Sequence, residues 1–133
     1  MLSILHVDDQ PIDRRLVRHI LSTHGHASAE ACSGVGALAS LARQRFDVVL
    51  MDINMPGVDG VEVVRLLRRA VGPARHTPVI ACTAETRFNE AHYRACGFDG
   101  LVTKPFSDAD VMQAIHRCLG APGEAALAAR RVA

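Results

Sequence analysis

Three aspartates, one threonine and one lysine stand out in the 133-residue sequence because each closes a short apolar run. His6-Val7 leads into Asp8-Asp9, Leu50-Met51 into Asp52, Ala81-Cys82 into Thr83, and Val102-Thr103 into Lys104. Lys104 is the only lysine among 15 Lys and Arg residues. An ammonium is a compact point charge where a guanidinium is a planar fork, so the exception hints at a site needing the former. Taken singly, each residue has a plainer reading: an aspartate at a strand end makes a turn or caps a helix, Thr83 caps the next helix, and one lysine is solvated. Taken together they describe one chemistry. Three crowded carboxylates resist ionisation unless a cation lies between them. An oxygen-only set without cysteine selects a hard cation, and few protein ligands with room for water favour Mg2+ over Ca2+. With a hydroxyl and an ammonium beside it, such a site receives the equatorial oxygens of a phosphoryl group in transfer. Asp52 is then the candidate nucleophile, since carboxylates form aspartyl phosphates, which are reversible and suited to switching.

These residues meet only if the runs that carry them are neighbouring parallel strands. Apolar runs at residues 2–7, 27–32, 46–51, 78–82 and 101–103 predict five short strands, the second of them weak and alternating. Between them the 3.6-residue period predicts helices with inward stripes Ile12, Leu16, Ile20 and Leu21; Val35, Leu38, Leu41 and Ala42; and Val63, Leu66, Leu67 and Ala70. A fourth helix is expected over 86–95, with Phe88, Ala91 and Ala95 facing inward, and is the least firmly held. In the fifth, Ser107 and Asp110 form a capping box, Val111, Ala114, Ile115 and Cys118 make the stripe, and Gly120 with Pro122 ends it. Alternating strand and helix with short links requires parallel pairing through right-handed crossovers. The fold class is therefore α/β, a doubly wound five-stranded parallel sheet of order 2-1-3-4-5. In that arrangement ligands sit outside the carboxyl ends of the strands, where strand order reverses between the first and third. One domain is expected over 1–120, followed by a short tail over 121–133.

Composition narrows the alternatives. Net charge +1, no Trp and one Tyr give neither bulk attraction to phosphate backbones nor stacking platforms, so no direct nucleic-acid partner is expected. No charge-free stretch approaches the roughly 18 residues of a membrane span, and the N-terminus lacks a secretory pattern, so a cytoplasmic address is expected. The four cysteines lack metal spacing and are expected to be reduced and mostly buried, and no histidine is placed at the site. A phosphohydrolase with an aspartate nucleophile would carry D-x-D at its first strand, which Val7-Asp8-Asp9-Gln10 does not supply. Gly34-Val35-Gly36-Ala37-Leu38-Ala39 fits a dinucleotide-binding pattern, but a tight turn and close helix packing explain it more simply.

Asp8-Asp9, Asp52-Ile53-Asn54-Met55-Pro56-Gly57 with Asp59-Gly60, Thr83-Ala84 and Lys104-Pro105-Phe106 together resemble the receiver domain of two-component response regulators, over residues 2–119. The resemblance implies that Asp52 accepts a phosphoryl group from a phosphohistidine on a sensor histidine kinase or histidine phosphotransfer protein. It implies that Asp9, Asp52 and the Asn54 carbonyl ligate Mg2+, with Asp8 acting largely through water. Thr83 would then bond a phosphoryl oxygen and Lys104 would pair with its charge. Asn54 and Glu85 match positions that tune dephosphorylation, and the Lys104-Pro105 bond is implied to be cis. Output would pass to a downstream protein target through the face made by the fourth helix, fifth strand and fifth helix. One departure is plain: the family's usual aromatic three residues before the lysine is Leu101, which has no ring to swing between two rotamers.

Overall fold

Aliphatic and β-branched residues at consecutive positions suit strands that are covered on both faces. In the computed structural model, which describes residues 1–120, they form β1 (Ser3–Val7), β2 (Ala27–Ala31), β3 (Val48–Asp52), β4 (Val79–Thr83) and β5 (Gly100–Thr103). All four pairings are parallel and the sheet order is β2-β1-β3-β4-β5, the expected doubly wound topology. The expected 121–133 tail and Pro122 lie outside the described residues. Because strand side chains alternate, the sheet divides the core in two. Leu5, Val7, Val49, Met51 and Ala81 join Ala37, Leu41, Val63, Val64 and Leu67 on one face. Ile4, Val48, Leu50, Ile80 and Cys82 join Val17, Ile20, Leu21, Val111, Ala114 and Ile115 on the other. Helices α2 (Gly34–Arg43), α3 (Gly60–Arg69) and α4 (Glu90–Ala95) thus cover the first face, and α1 (Pro11–Thr23) and α5 (Asp108–Gly120) the second.

The helices exist where periodicity puts them, but several are turned about their axes. In α1 the buried residues are Val17, Ile20 and Leu21, while Ile12 is 82% and Leu16 45% exposed. Val35 in α2 and Leu66 in α3 are likewise exposed. Apolar residues at adjacent positions allow two inward faces roughly 100° apart, and only contact with the sheet chooses between them. The fourth helix is shorter than expected. The Asn89 side chain accepts from the backbone N–H of His92 at 3.0 Å, so α4 starts at Glu90 and Phe88 falls ahead of the cap. Its buried residue is Tyr93, whose ring meets Phe98 edge-on at 5.9 Å, and not Phe88, Ala91 or Ala95. The capping box of α5 forms as read, with Ser107 N–H donating to Asp110 Oδ2 at 2.9 Å and Asp110 N–H to Ser107 Oγ at 3.2 Å. Of the cysteines only Cys82 is fully buried; Cys32 is exposed, and Cys96 and Cys118 lie between.

Two glycines set the path from β3 to α3. Gly57 has φ +78°, a conformation that side chains with a Cβ rarely adopt. A Cβ on Gly60 would lie 2.4 Å from the Asp52 carbonyl oxygen, so α3 can start against the end of β3 only because that atom is missing. Gly34 likewise serves close packing, since a Cβ there would meet Val63 and the Val58 carbonyl. Among the described residues no helix is long and apolar enough to cross a membrane.

Candidate functional site

The strand ends that carry the polar residues are adjacent, because β1, β3 and β4 lie side by side and β5 flanks β4. Backbone bonds beyond the ladders extend the register into the site. Asp8 N–H donates to Ala31 O, Ile53 N–H to Cys82 O, and Lys104 N–H to Thr83 O at 2.8 Å. The Lys104-Pro105 peptide is cis, as the resemblance implied.

Asp8, Asp9 and Asp52 each place a carboxylate oxygen within 4.8 Å of the other two, the one such acidic group among the described residues. Their bonding differs sharply. Asp8 is fully buried and both its oxygens are engaged, Oδ1 by Gln10 N–H at 2.9 Å and Oδ2 by the Lys104 ammonium at 2.9 Å. Its carbonyl accepts from Arg14 at 2.7 Å. Asp9 Oδ1, by contrast, is buried without a hydrogen-bond partner among the described residues. Leaving a buried acceptor unmade costs roughly 1–3 kcal/mol, so this orphan oxygen fits the role of a cation ligand. Asp52, 5% exposed, accepts only a long 3.4 Å bond from Asn54 N–H and lies 3.6 Å from the Lys104 nitrogen. Burial, with Asp8 adding repulsion, pushes its carboxyl up to about 6. A hard divalent ion would relieve both strains.

Thr83 is fully buried, and its Oγ1 accepts from Glu85 N–H at 2.9 Å and from the Asn54 side-chain amide at 3.4 Å. Asn54 thereby links the hydroxyl to the loop that follows Asp52. Burial pulls the Lys104 ammonium down, but the surrounding carboxylates of Asp8, Asp52 and Asp13 outweigh it and hold the group above its ordinary value. The structure brings the residues read from the sequence as site members into one connected group: Asp8, Asp9, Asp52, Asn54, Thr83 and Lys104.

Three neighbours escaped sequence reading. Asp13, in the first turn of α1, reaches Lys104 at 3.2 Å; as a sequence feature it reads only as an acidic residue at a helix start. His6 is buried beneath the pocket with neither ring nitrogen hydrogen-bonded among the described residues, and its Nε2 lies 3.8 Å from Asp8 Oδ2. Burial lowers the ring to about 4 against the pull of Asp8, so it is neutral. The two-residue strand period could have found it, since His6 in β1 and Asp8 just past its end are two positions apart. Tyr93, the only tyrosine, lies beside the Thr83 hydroxyl; burial raises its phenol. Position 101, opposite Ala81 in the sheet, carries the partly buried Leu that the sequence shows.

Comparison with known proteins agrees with this geometry. Residues 4–116 match the model of the response regulator receiver domain family. The chemotaxis protein CheY-3 of Vibrio cholerae is 34% identical over 118 residues, covering 87% of this chain and 90% of that protein. The transcriptional regulatory protein ResD of Bacillus subtilis is 36% identical over 117 residues, but the chain spans only 47% of its length. Among solved structures, the receiver domain of the sensor histidine kinase PA1611 from Pseudomonas aeruginosa, with a magnesium ion in its active-site cleft, superposes with a TM-score of 0.81 at 29% identity. The match covers 90% of this chain and 98% of that one.

Proposed function

Because the chain belongs to the response regulator receiver family of two-component signalling, we propose that Asp52 is the residue that accepts the phosphoryl group. The observation that carries this reading is its placement: a buried, under-bonded carboxylate grouped with Asp8 and Asp9 and 3.6 Å from the only lysine. Receiver domains are signalling modules rather than turnover enzymes, and their phosphoryl donors are histidine kinases or histidine phosphotransfer proteins. Asp9, Asp52 and the Asn54 carbonyl would hold Mg2+, with Asp8 steadying the set through its bond to Lys104. Bound there, the ion would supply neutralisation of charge on the phosphoryl oxygens.

In the proposed transfer a carboxylate oxygen of Asp52 attacks phosphorus in line. The P–N bond of the donor phosphohistidine breaks, its electron pair stays on the imidazole nitrogen, and an acyl phosphate remains on Asp52. Lys104 pairs with the transferred charge, and Thr83 turns its hydroxyl from Asn54 and the Glu85 N–H toward a phosphoryl oxygen. Asn54 and Glu85 flank the approach that a hydrolytic water must take. The modified site then changes which protein docks, through α4, β5 and α5.

Incubation with acetyl phosphate and Mg2+ tests the reading by intact mass. The wild type gains one phosphoryl group, while Asp52→Asn and a chelator each abolish the gain. Equal labelling of Asp52→Asn overturns the assignment.

A further inference from the structure

The Lys104 ammonium has three hydrogens, and at rest they are unevenly shared. Asp8 Oδ2 lies at 2.9 Å and Asp13 Oδ2 at 3.2 Å, both within hydrogen-bond range, whereas Asp52 Oδ1 is 3.6 Å away. Asp8 belongs to the carboxylate group at the strand ends; Asp13 does not. It comes from a different element, the first turn of α1, and its side chain is one-third exposed. Asp13 therefore adds a negative charge next to the pocket without an oxygen in the set that could hold the metal. Beside the ion pair is a cavity of about 260 Å3 lined by Asp13, Leu16, Ala84, Lys104, Pro105 and Phe106, which leaves the lysine stem room to move.

From this arrangement we propose that Asp13 is a positioning residue that latches Lys104 away from Asp52 until a phosphoryl group arrives to compete for it. The inference rests on the reading of Asp52 as phosphoacceptor, because only a dianion on Asp52 gives Lys104 a reason to leave. At rest Asp13 and Asp8 share the ammonium; once Asp52 is modified, the phosphoryl oxygens draw it inward and Asp13 is released to solvent. Asp13 thereby weakens the modified state in proportion to the ion pair it gives up. For a partly exposed pair that is about a two- to fivefold effect.

The single lysine makes the latch directly observable, since protein labelled with 15N-lysine gives one ammonium signal. Asp13→Asn keeps the shape and removes the charge; it should shift that signal and speed its exchange with water before any phosphoryl group is present. With Mg2+ and beryllofluoride as the phosphoryl mimic, Asp13→Asn should bind the mimic about two- to fivefold more tightly than wild type. In a Lys104→Met background the same substitution should change affinity less than about 1.5-fold. Asp13→Ser serves as the second charge-removing variant should Asp13→Asn disturb α1. An unmoved ammonium signal, or an equal gain in both backgrounds as plain charge repulsion would give, overturns the latch. Should the wild type take up neither acetyl phosphate nor beryllofluoride, the phosphoacceptor reading fails, while the ammonium signal still decides whether Asp13 holds Lys104.

Discussion

Each end of the sheet carries an aspartate facing a cation, and the two pairs are built on opposite principles. At the amino end, Asp99 Oδ2 accepts from Arg68 at 2.8 Å and from Val79 N–H at 3.0 Å. The same guanidinium donates to the carbonyls of Gly97, Arg75 and Thr77. A planar fork with five N–H groups has been matched to fixed backbone acceptors, tying α3, the turn before β4 and the start of β5 into one unit. At the carboxyl end, three carboxylates share one ammonium, Asp9 Oδ1 has no partner among the described residues, and burial with the neighbouring Asp8 charge raises the Asp52 carboxyl to about 6. The saturated network can only hold the fold together. The unsaturated one stores a charge imbalance that a metal and, in the proposed transfer, a phosphoryl group would discharge, so the polar site that is worse for stability is the one proposed to react.

The same substitution at the two ends should therefore have opposite signs. Asp99→Asn removes a charge that Arg68 and Val79 use, and should cost about 2 to 3 kcal/mol in urea unfolding. Asp52→Asn removes a strained charge and should stabilise the metal-free protein at pH 7.5 by about 2 kcal/mol. Adding Mg2+ should narrow that gap by raising the melting temperature of the wild type far more than that of the variant, because only the wild type keeps the full ligand set. Destabilisation at both ends would erase the contrast.

The smallest effect is one of pH. Asp52, raised from 3.8 to about 6, binds more protons folded than unfolded, so its contribution to stability declines as pH rises through that window. His6, lowered from 6.5 to about 4, behaves oppositely: its contribution is present above 6.5 and lost as pH falls. In chelator the two slopes offset each other in the wild type. Asp52→Asn should uncover the His6 term, with stability increasing by about 1 kcal/mol per pH unit between about 4.5 and 6. A flat profile in the variant would mean that the ring is already protonated when folded.

The strands, the polar strand ends and the α5 capping box could be read from residue order because each depends on local facts: an apolar run, a polar residue that ends it, and a Ser–Asp spacing. Strand order followed from the alternation of strand and helix, which restricts how parallel strands can be connected. Ile12, Val35 and Leu66 could not be placed, since helical periodicity admits neighbouring faces and only the sheet beneath selects one. Asp13 and Tyr93 were invisible as site members for a related reason. Asp13 is separated from Lys104 by 91 positions and Tyr93 is on another helix, and no local pattern encodes which side chain from a covering helix reaches a strand end. The sequence by itself determined which groups would gather, because residue type and strand periodicity do not depend on neighbours. Only the tertiary structure decided how Lys104 divides its charge among Asp8, Asp13 and Asp52, because that division turns on differences of less than an ångström set by packing.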